Sequence, residues 1–167
     1  MTVCVALLDA GAVELEPALV NASWNEHTPV VALLLDRGAD INFQDGDALV
    51  GAAQECHLAT VTLLLDRGAD VRAQDDMPLQ MASQNGHVET VRFLLDRGAD
   101  IHSDSDYSLR FAAQGGRTEV VALLLDRGAD IHAERDEPLS FAAEFGRTGT
   151  VALLLDRGAD MHRSVIQ

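Results

Sequence analysis

One eight-residue block recurs along this chain at a constant spacing of 30 residues. It reads LLLDRGAD at 33–40, 63–70, 123–130 and 153–160, and FLLDRGAD at 93–100. A second block keeps the same period, as ALVNAS at 18–23, ALVGAA at 48–53, PLQMAS at 78–83, SLRFAA at 108–113 and PLSFAA at 138–143. Two blocks in fixed register indicate a repeat protein, in which each unit packs mainly against its neighbours.

Each unit is predicted to contain two helices. The first has apolar residues at positions i, i+3 and i+4, for example Leu109, Ala112 and Ala113, which form one face of a helix. The second has the same spacing with a wider apolar face over 120–125. A face this wide suits a helix between two neighbouring repeats, and the LLL rows are therefore predicted to be the structural core.

The residues beside these blocks predict where the helices begin and end. Pro78 and Pro138 fit the first helical turn, where a missing N–H costs nothing. Aspartates shortly before the recurring Leu are expected to be N-caps: Asp76, Asp106 and Asp136. Glycines in a left-handed conformation are expected to end the first helices at Gly86, Gly116 and Gly146, and the second helices at Gly38, Gly68, Gly98, Gly128 and Gly158.

The order of an xLxxAA helix, a GH dipeptide and an xxVxxLLLxxGADI helix resembles the ankyrin repeat, over residues 5–162. The family unit has about 33 residues, and the three residues missing here fall in the turn between repeats. The family's TPLH motif is also degraded, since its His position holds Val20, Val50, Gln80, Arg110 and Ser140. The resemblance implies an all-α helix-turn-helix repeat solenoid with short inter-repeat turns and no long hairpin.

The period also predicts the domain organisation. A single ankyrin repeat domain is expected over residues 1–167. It would comprise an N-terminal half repeat at 1–13 with a lone helix near 3–10, repeats at 14–43, 44–73, 74–103, 104–133 and 134–163, and a tail at 164–167.

Charge and composition exclude several classes of function. The net charge is −15, and all 12 basic residues are arginine. This disfavours nucleic acid and anionic membranes, which attract basic surfaces, and the absence of lysine excludes a phosphate-binding loop of the GKS or GKT type. The DRG arginines are expected to form a salt-bridged outer surface with the adjacent aspartates. Two cysteines and no membrane-length apolar run favour a soluble, cytoplasmic protein.

No pattern indicates catalysis, and we expect no enzyme, cofactor or metal. The recurring His27, His57 and His87 are interpreted as turn-stabilising, because packed helices about 8–10 Å apart hold such rows too far apart to share one zinc ion. The aspartates between repeats lack the Gly and Glu spacing of a calcium loop.

The resemblance implies that a ligand is held by the turn tips and the exposed ends of the first helices, on the concave side. Residue types vary between repeats at these positions, and the only Trp and the only Tyr fall there. The predicted partner-binding residues are Trp24, Phe43, Asp45, Asp47, Gln54, Glu55, Asp75, Met77, Gln84, Asn85, Asp104, Tyr107, Gln114, Arg135, Glu137, Glu144 and Phe145. Drift at unconstrained surface positions would produce the same variation, and Trp24 would then cover the N-terminal end.

Two functions remain open from the sequence. The first is a non-enzymatic protein–protein interaction module or adaptor, whose acidic concave face binds a partner protein with a basic or mixed surface. The alternative is a structural protein that self-associates end to end through uncapped terminal repeats. The chain opens with MTVCVALLDAGA and closes with VALLLDRGADMHRSVIQ, both apolar. Such ends also fit a piece of a longer repeat array.

Overall fold

The computed structural model describes residues 14–160, which form ten helices in five helix-turn-helix pairs. The helices are α1 (Leu15–Trp24), α2 (Thr28–Asp36), α3 (Phe43–Gln54), α4 (Leu58–Asp66), α5 (Ala73–Asn85), α6 (Val88–Asp96), α7 (Ser103–Gly115), α8 (Thr118–Asp126), α9 (Ala133–Glu144) and α10 (Thr148–Asp156). No strand occurs within 14–160, so the all-α solenoid is confirmed. The predicted lone helix near 3–10 lies outside the described residues.

The five first helices, α1, α3, α5, α7 and α9, pack closely on one another along the stack, and the second helices lie behind them. One leucine of each helix forms a ladder through the core. These residues, each at most 1% exposed, are Leu19, Leu34, Leu49, Leu64, Leu79, Leu94, Leu109, Leu124, Leu139 and Leu154. The predicted LLL core is thus narrower than expected, because only the middle leucine of each row is fully buried; Leu155 is 50% exposed.

Each of α3, α5, α7 and α9 contains, one residue after its start, a compact turn of three consecutive left-handed residues. These residues, at 44–46, 74–76, 104–106 and 134–136, have φ between 46° and 82°. Regular right-handed helix follows, so Pro78 and Pro138 lie in its first turn, as predicted. Non-glycine residues pay about 1–2 kcal/mol for this conformation, which indicates that contacts between repeats hold the turns in place.

The predicted N-caps at Asp76 and Asp106 are wrong. Each carboxylate instead accepts a hydrogen bond from the next repeat: Asp76 from the backbone N–H of Asp100 at 2.7 Å and Asp106 from that of Asp130 at 2.9 Å. Burial raises the pKa of Asp76 above its ordinary value, although the bond from Asp100 and the charge of Arg72 act in the opposite direction. These aspartates therefore join repeats instead of starting helices.

The contacts at this position differ between the last and the first of the four turns. Asp136 is also buried, and its carboxylate pairs with the Nδ1 of His132 instead of capping its own helix. At the first turn the equivalent residue is Gly46, where an added Cβ would lie 2.6 Å from the Cβ of Ala73. There the Oδ1 of Asn42 accepts the bond from the N–H of Asp70 at 3.0 Å. The inter-repeat bond is thus kept by a different residue.

The predicted glycine stops are confirmed. Gly86, Gly116 and Gly146 have φ of 67–89° after the first helices. The glycines after the second helices have φ of 90–99°: Gly38, Gly68, Gly98, Gly128 and Gly158. Two earlier repeats place Glu26 and Cys56 at the position of Gly86, with φ of 57° and 64°.

The DRG arginines form a regular ladder across the second helices, as predicted. Four of the five DRG arginines each bond the aspartate of the preceding repeat at 2.8–2.9 Å: Arg67 to Asp36, Arg97 to Asp66, Arg127 to Asp96 and Arg157 to Asp126. These pairs are partly exposed, and each is expected to contribute at most about 1 kcal/mol. The charged side chains of this ladder are therefore paired with each other between neighbouring repeats.

Candidate protein-binding face

We call the exposed side of the first helices, with the turns before them and their C-terminal ends, the inner face. All the partner-binding residues predicted from the sequence lie on it, because each belongs to a first helix or directly follows one. The structure brings some of them into three depressions and an aromatic cluster, and it pairs several others with residues of the chain.

The first depression, of ≈ 470 Å³, lies between the turns that begin α5 and α7. Its lining residues are Gln74, Asp75, Met77, Gln80, Ser103 and Asp104. The side chains of Gln80 and Ser103 both donate to the carbonyl oxygen of Asp75, at 2.7 and 2.9 Å, and fix the shape of this turn. Exposed carboxylates of Asp75 and Asp104 and the half-buried Met77 remain at the surface.

An aromatic cluster follows along α7 and α9. The rings of Tyr107 and Phe111 stack with centroids 3.9 Å apart, and Phe111 meets Phe141 edge to face at 6.0 Å. The guanidinium of Arg110 lies 5.8 Å from the ring centroid of Phe111 and donates to the carboxylate of Glu137 at 2.8 Å. This arrangement holds the rings in one orientation, which lowers the entropy lost when they bind a partner.

The second depression, of ≈ 280 Å³, lies where α5, α7 and α9 end. Its lining residues are Gln84, Asn85, Phe111, Gln114, Gly115, Arg117, Phe145 and Arg147. The Nε of Arg117 donates to the carbonyl oxygen of Gln84 at 3.0 Å, and that of Arg147 to Gln114 at 2.9 Å. Each arginine therefore joins its own repeat to the preceding one.

Histidines make the same bond earlier in the stack. The Nε2 of His57 lies 3.0 Å from the carbonyl oxygen of Trp24, and that of His87 lies 2.8 Å from that of Gln54. The turn-stabilising interpretation is confirmed for these two residues. Gln54 and Glu55, both predicted partner-binding residues, lie beside them in a further depression of ≈ 320 Å³ that His87 also lines.

Several predicted residues are already engaged within the chain. The indole of Trp24 lies on the backbone of α3, since a Cβ added to Gly51 would be 2.1 Å from its Nε1. Asp47 accepts a hydrogen bond from the Nε2 of Gln74 at 2.7 Å. Asp45 accepts another from the backbone N–H of Gln74 at 3.1 Å. These side chains are therefore less available than Asp75 or Phe145.

Sequence reasoning missed seven residues of this face: Gln80, Ser103, Arg110, Phe111, Arg117, Phe141 and Arg147. Phe111 and Phe141 belong to the recurring xLxxAA block and were grouped with the core. Their position falls outside the i, i+3, i+4 set of buried residues, which is the signal that would have separated them. Arg117 and Arg147 replace the recurring His, which was interpreted only as a structural position.

Residues 14–160 contain neither a metal-binding cluster nor a membrane-spanning helix. In this part of the chain, no three His, Cys, Asp or Glu side chains are grouped so that they could hold a metal ion. None of its helices has the length and apolar character needed to cross a membrane.

The comparison with protein families identifies the fold. A family model described as ankyrin repeats in three copies matches residues 19–105 and again 79–164. The chain therefore belongs to the ankyrin repeat family. Ankyrin repeats are generally protein–protein interaction modules, and the family is typically non-enzymatic. A search of curated proteins finds no significant match.

Proposed function

We propose that this protein is a non-enzymatic interaction module, or adaptor, that binds a partner protein on its inner face, the concave side of the stack. The observation that carries the proposal is the contrast between two sets of residues. The core leucines recur at every repeat, whereas the inner face changes from repeat to repeat and holds most of the aromatic residues. Large, rigid aromatic side chains are frequent anchors of protein interfaces.

The charges of the turns favour a partner with a basic or mixed surface. Exposed acidic residues lie at the tips of successive turns: Asp45, Asp75, Asp104 and Glu134. The first depression combines two of these carboxylates with the apolar side chain of Met77, which suits the aliphatic stem and charged head of a Lys or Arg. Such complementarity accelerates encounter and weakens as salt is added.

The C-terminal part of the inner face supplies the apolar contact. Phe145 is 46% exposed, and it lies at the end of α9 beside the ordered rings of the aromatic cluster. A protein partner that covers this region would bury apolar area without having to order these rings first. Two cysteines and an acidic composition fit a cytoplasmic protein with no nucleic-acid, membrane or cofactor role in this interaction.

Affinity capture from a cell lysate tests the proposal. We would compare the unaltered protein with an inner-face variant, Asp75→Asn with Phe145→Ala. A matched control, Asp66→Asn with Leu155→Ala, removes the same number of charges and apolar groups from the second helices. Both variants should first show unchanged helical content by circular dichroism.

A protein retained by the unaltered chain and the control, but lost by the inner-face variant, is the expected result. Retention should also decrease between low and moderate salt. Equal retention by all three proteins would contradict binding on the inner face, and salt-independent retention would contradict the electrostatic contribution.

Self-association remains a second candidate because of one observation on the last described helix. Leu155 is half exposed on α10, whereas Leu125 at the equivalent position of α8 is half buried. Light scattering over a concentration series would separate the two functions. A mass that stays at 17.9 kDa excludes self-association, and a mass that rises with concentration and falls back in Leu155→Glu supports it.

A further inference from the structure

Two arginines of the inner face have no carboxylate partner within residues 14–160. Seven other arginines have a carboxylate partner within 4.0 Å: Arg67, Arg72, Arg92, Arg97, Arg110, Arg127 and Arg157. Within residues 14–160, neither Arg117 nor Arg147 forms such a pair; each donates through Nε to a backbone carbonyl. In a chain of net charge −15, two guanidinium groups that line one depression without a carboxylate partner are an exception, and they suit an anionic ligand.

Glycines fix the direction of both side chains. A Cβ added to Gly86 would lie 2.8 Å from the Cδ of Arg117, and one added to Gly116 would lie 2.7 Å from the Cδ of Arg147. The aliphatic stems therefore lie flat on the ends of α5 and α7, held at Nε by the carbonyl bonds. The Nη groups remain available, and a planar guanidinium held in this way loses little entropy when it binds a carboxylate.

The walls of the second depression add apolar and neutral polar groups to this pair. Phe111 and Phe145 contribute rings, while Gln84, Asn85 and Gln114 contribute amides. Glu119 lines a separate depression, of ≈ 320 Å³, which Arg117 also borders. It is not among the residues that line the second depression. The site thus combines two fixed cations, two aromatic rings and no carboxylate.

We infer that the second depression binds an acidic residue of the partner protein together with an adjacent aromatic or aliphatic side chain. The carboxylate would lie between Arg117 and Arg147, and the apolar side chain would contact Phe111 and Phe145. This inference rests on the proposed function, because it specifies one contact of the same partner. It also predicts the orientation of the partner on the inner face. Basic residues of the partner would contact the turns, and an acidic residue with an adjacent apolar side chain would contact the ends of the first helices.

The chain itself supplies the variant for the test. Earlier repeats carry His57 and His87 at the equivalent position, with the same bond to the preceding repeat. Arg117→His with Arg147→His should therefore keep the structural bond, and at pH 8 it removes both charges, since free His has a pKa of ~6.5. The matched control is Arg97→His with Arg127→His, which makes the same change in the outer ladder.

We would select short random peptides displayed on phage against the unaltered protein at pH 8. The enriched peptides would then be synthesised and their affinity for all three proteins measured. We expect Asp or Glu next to an aromatic residue or Leu. The Arg117/Arg147 variant should bind these peptides at least about tenfold more weakly, a loss of roughly 1.4 kcal/mol, and the control should bind them unchanged.

Three results would overturn the inference. One is the absence of any enriched peptide with this pattern, and another is equal affinity for the unaltered protein and the Arg117/Arg147 variant. The third is inorganic phosphate that displaces the peptides at low concentration, which would assign the depression to a phosphate ligand. The proposed function and this inference can be told apart. If the Arg117/Arg147 variant still captures a partner that the Asp75/Phe145 variant loses, the proposed function stands and this inference does not.

Discussion

The two ends of the inner face differ at one equivalent position of the first helices. In α3 this position is Gly51, and the indole of Trp24 from the preceding repeat covers its backbone. In α7 and α9 the same position holds Phe111 and Phe141, whose rings contact each other, and Phe111 also stacks on Tyr107. At one end of the face Trp24 lies against its own neighbouring helix although it is 37% exposed, and at the other end several aromatic rings pack on one another.

This difference separates aromatic residues that pack the stack from those available to a partner. Trp24 was predicted to be a binding anchor, with coverage of the N-terminal end as the alternative. Its contact with Gly51 lies toward the following repeat and gives it a packing role. Phe145 is more exposed, at 46% against 37% for Trp24. Recognition is therefore expected mainly from Met77 to Phe145.

The substitutions with the largest expected effect test whether the leucine core is equally important at both ends of the inner face. Leu64→Ala and Leu124→Ala each remove a fully buried side chain, and each should lower the free energy of unfolding by about 2–5 kcal/mol. Denaturant titration measures this cost. In Leu124→Ala, hydrogen exchange should also show a loss of protection over residues 106–157, because these residues surround the cavity that the substitution leaves. Unchanged protection there would contradict a stack stabilised by nearest neighbours.

Two glycine-to-alanine substitutions test directly whether Trp24 packs on the backbone of α3. Gly51→Ala should destabilise by about 1–3 kcal/mol, because its Cβ would displace the indole of Trp24. Gly149→Ala is the matched control in α10, where the nearest atom, Oγ1 of Thr118, is 3.6 Å from the new Cβ. That change should stabilise by roughly 0.5–1 kcal/mol through helix propensity. Thermal unfolding and Trp fluorescence measure both, and a neutral Gly51→Ala would remove the packing role of Trp24.

Threonines near the start of the second helices also make different contacts at equivalent positions of different repeats, with smaller effects on stability. The hydroxyls of Thr28 and Thr60 bond at 2.7 Å, as do those of Thr118 and Thr150 at 2.8 Å. At the interface between α4 and α6, the equivalent residues are Leu58 and Thr90. The hydroxyl of Thr90 is buried and has no hydrogen-bond partner in residues 14–160.

Thr90→Val is therefore expected to stabilise the protein, by about 1–2 kcal/mol, because it removes an unsatisfied buried hydroxyl without changing volume. The following interface already has Val88 and Val120 at these positions. Thr60→Val is the control, and it should destabilise by a similar amount through the loss of the bond to Thr28. Denaturant midpoints give both values, and equal effects of the two substitutions would disprove the distinction.

The sequence predicted the stack well, because each helix must bury its leucine once per 30 residues and a repeated block shows that requirement directly. It did not predict the three left-handed residues of each turn, since Gln, Asp and Ser rarely adopt that conformation without support from neighbouring repeats. The bond from Asp100 to Asp76 depends on the same packing. For the site, the sequence predicted which positions form the face but not the contacts of their side chains. Whether Trp24 lies on a neighbouring helix, or whether Arg117 lacks a carboxylate partner, depends on packing between repeats.

The smallest expected effect on stability sharpens the comparison most. Phe145→Ala should change the free energy of unfolding by no more than about 0.5 kcal/mol, because the ring is largely outside the core. Trp24→Ala should cost clearly more, since it uncovers the backbone at Gly51. Their effects on partner capture should be reversed, with the larger loss in Phe145→Ala. If Trp24→Ala weakens capture more at unchanged helical content, the N-terminal end takes part in recognition and the division between the two ends is wrong.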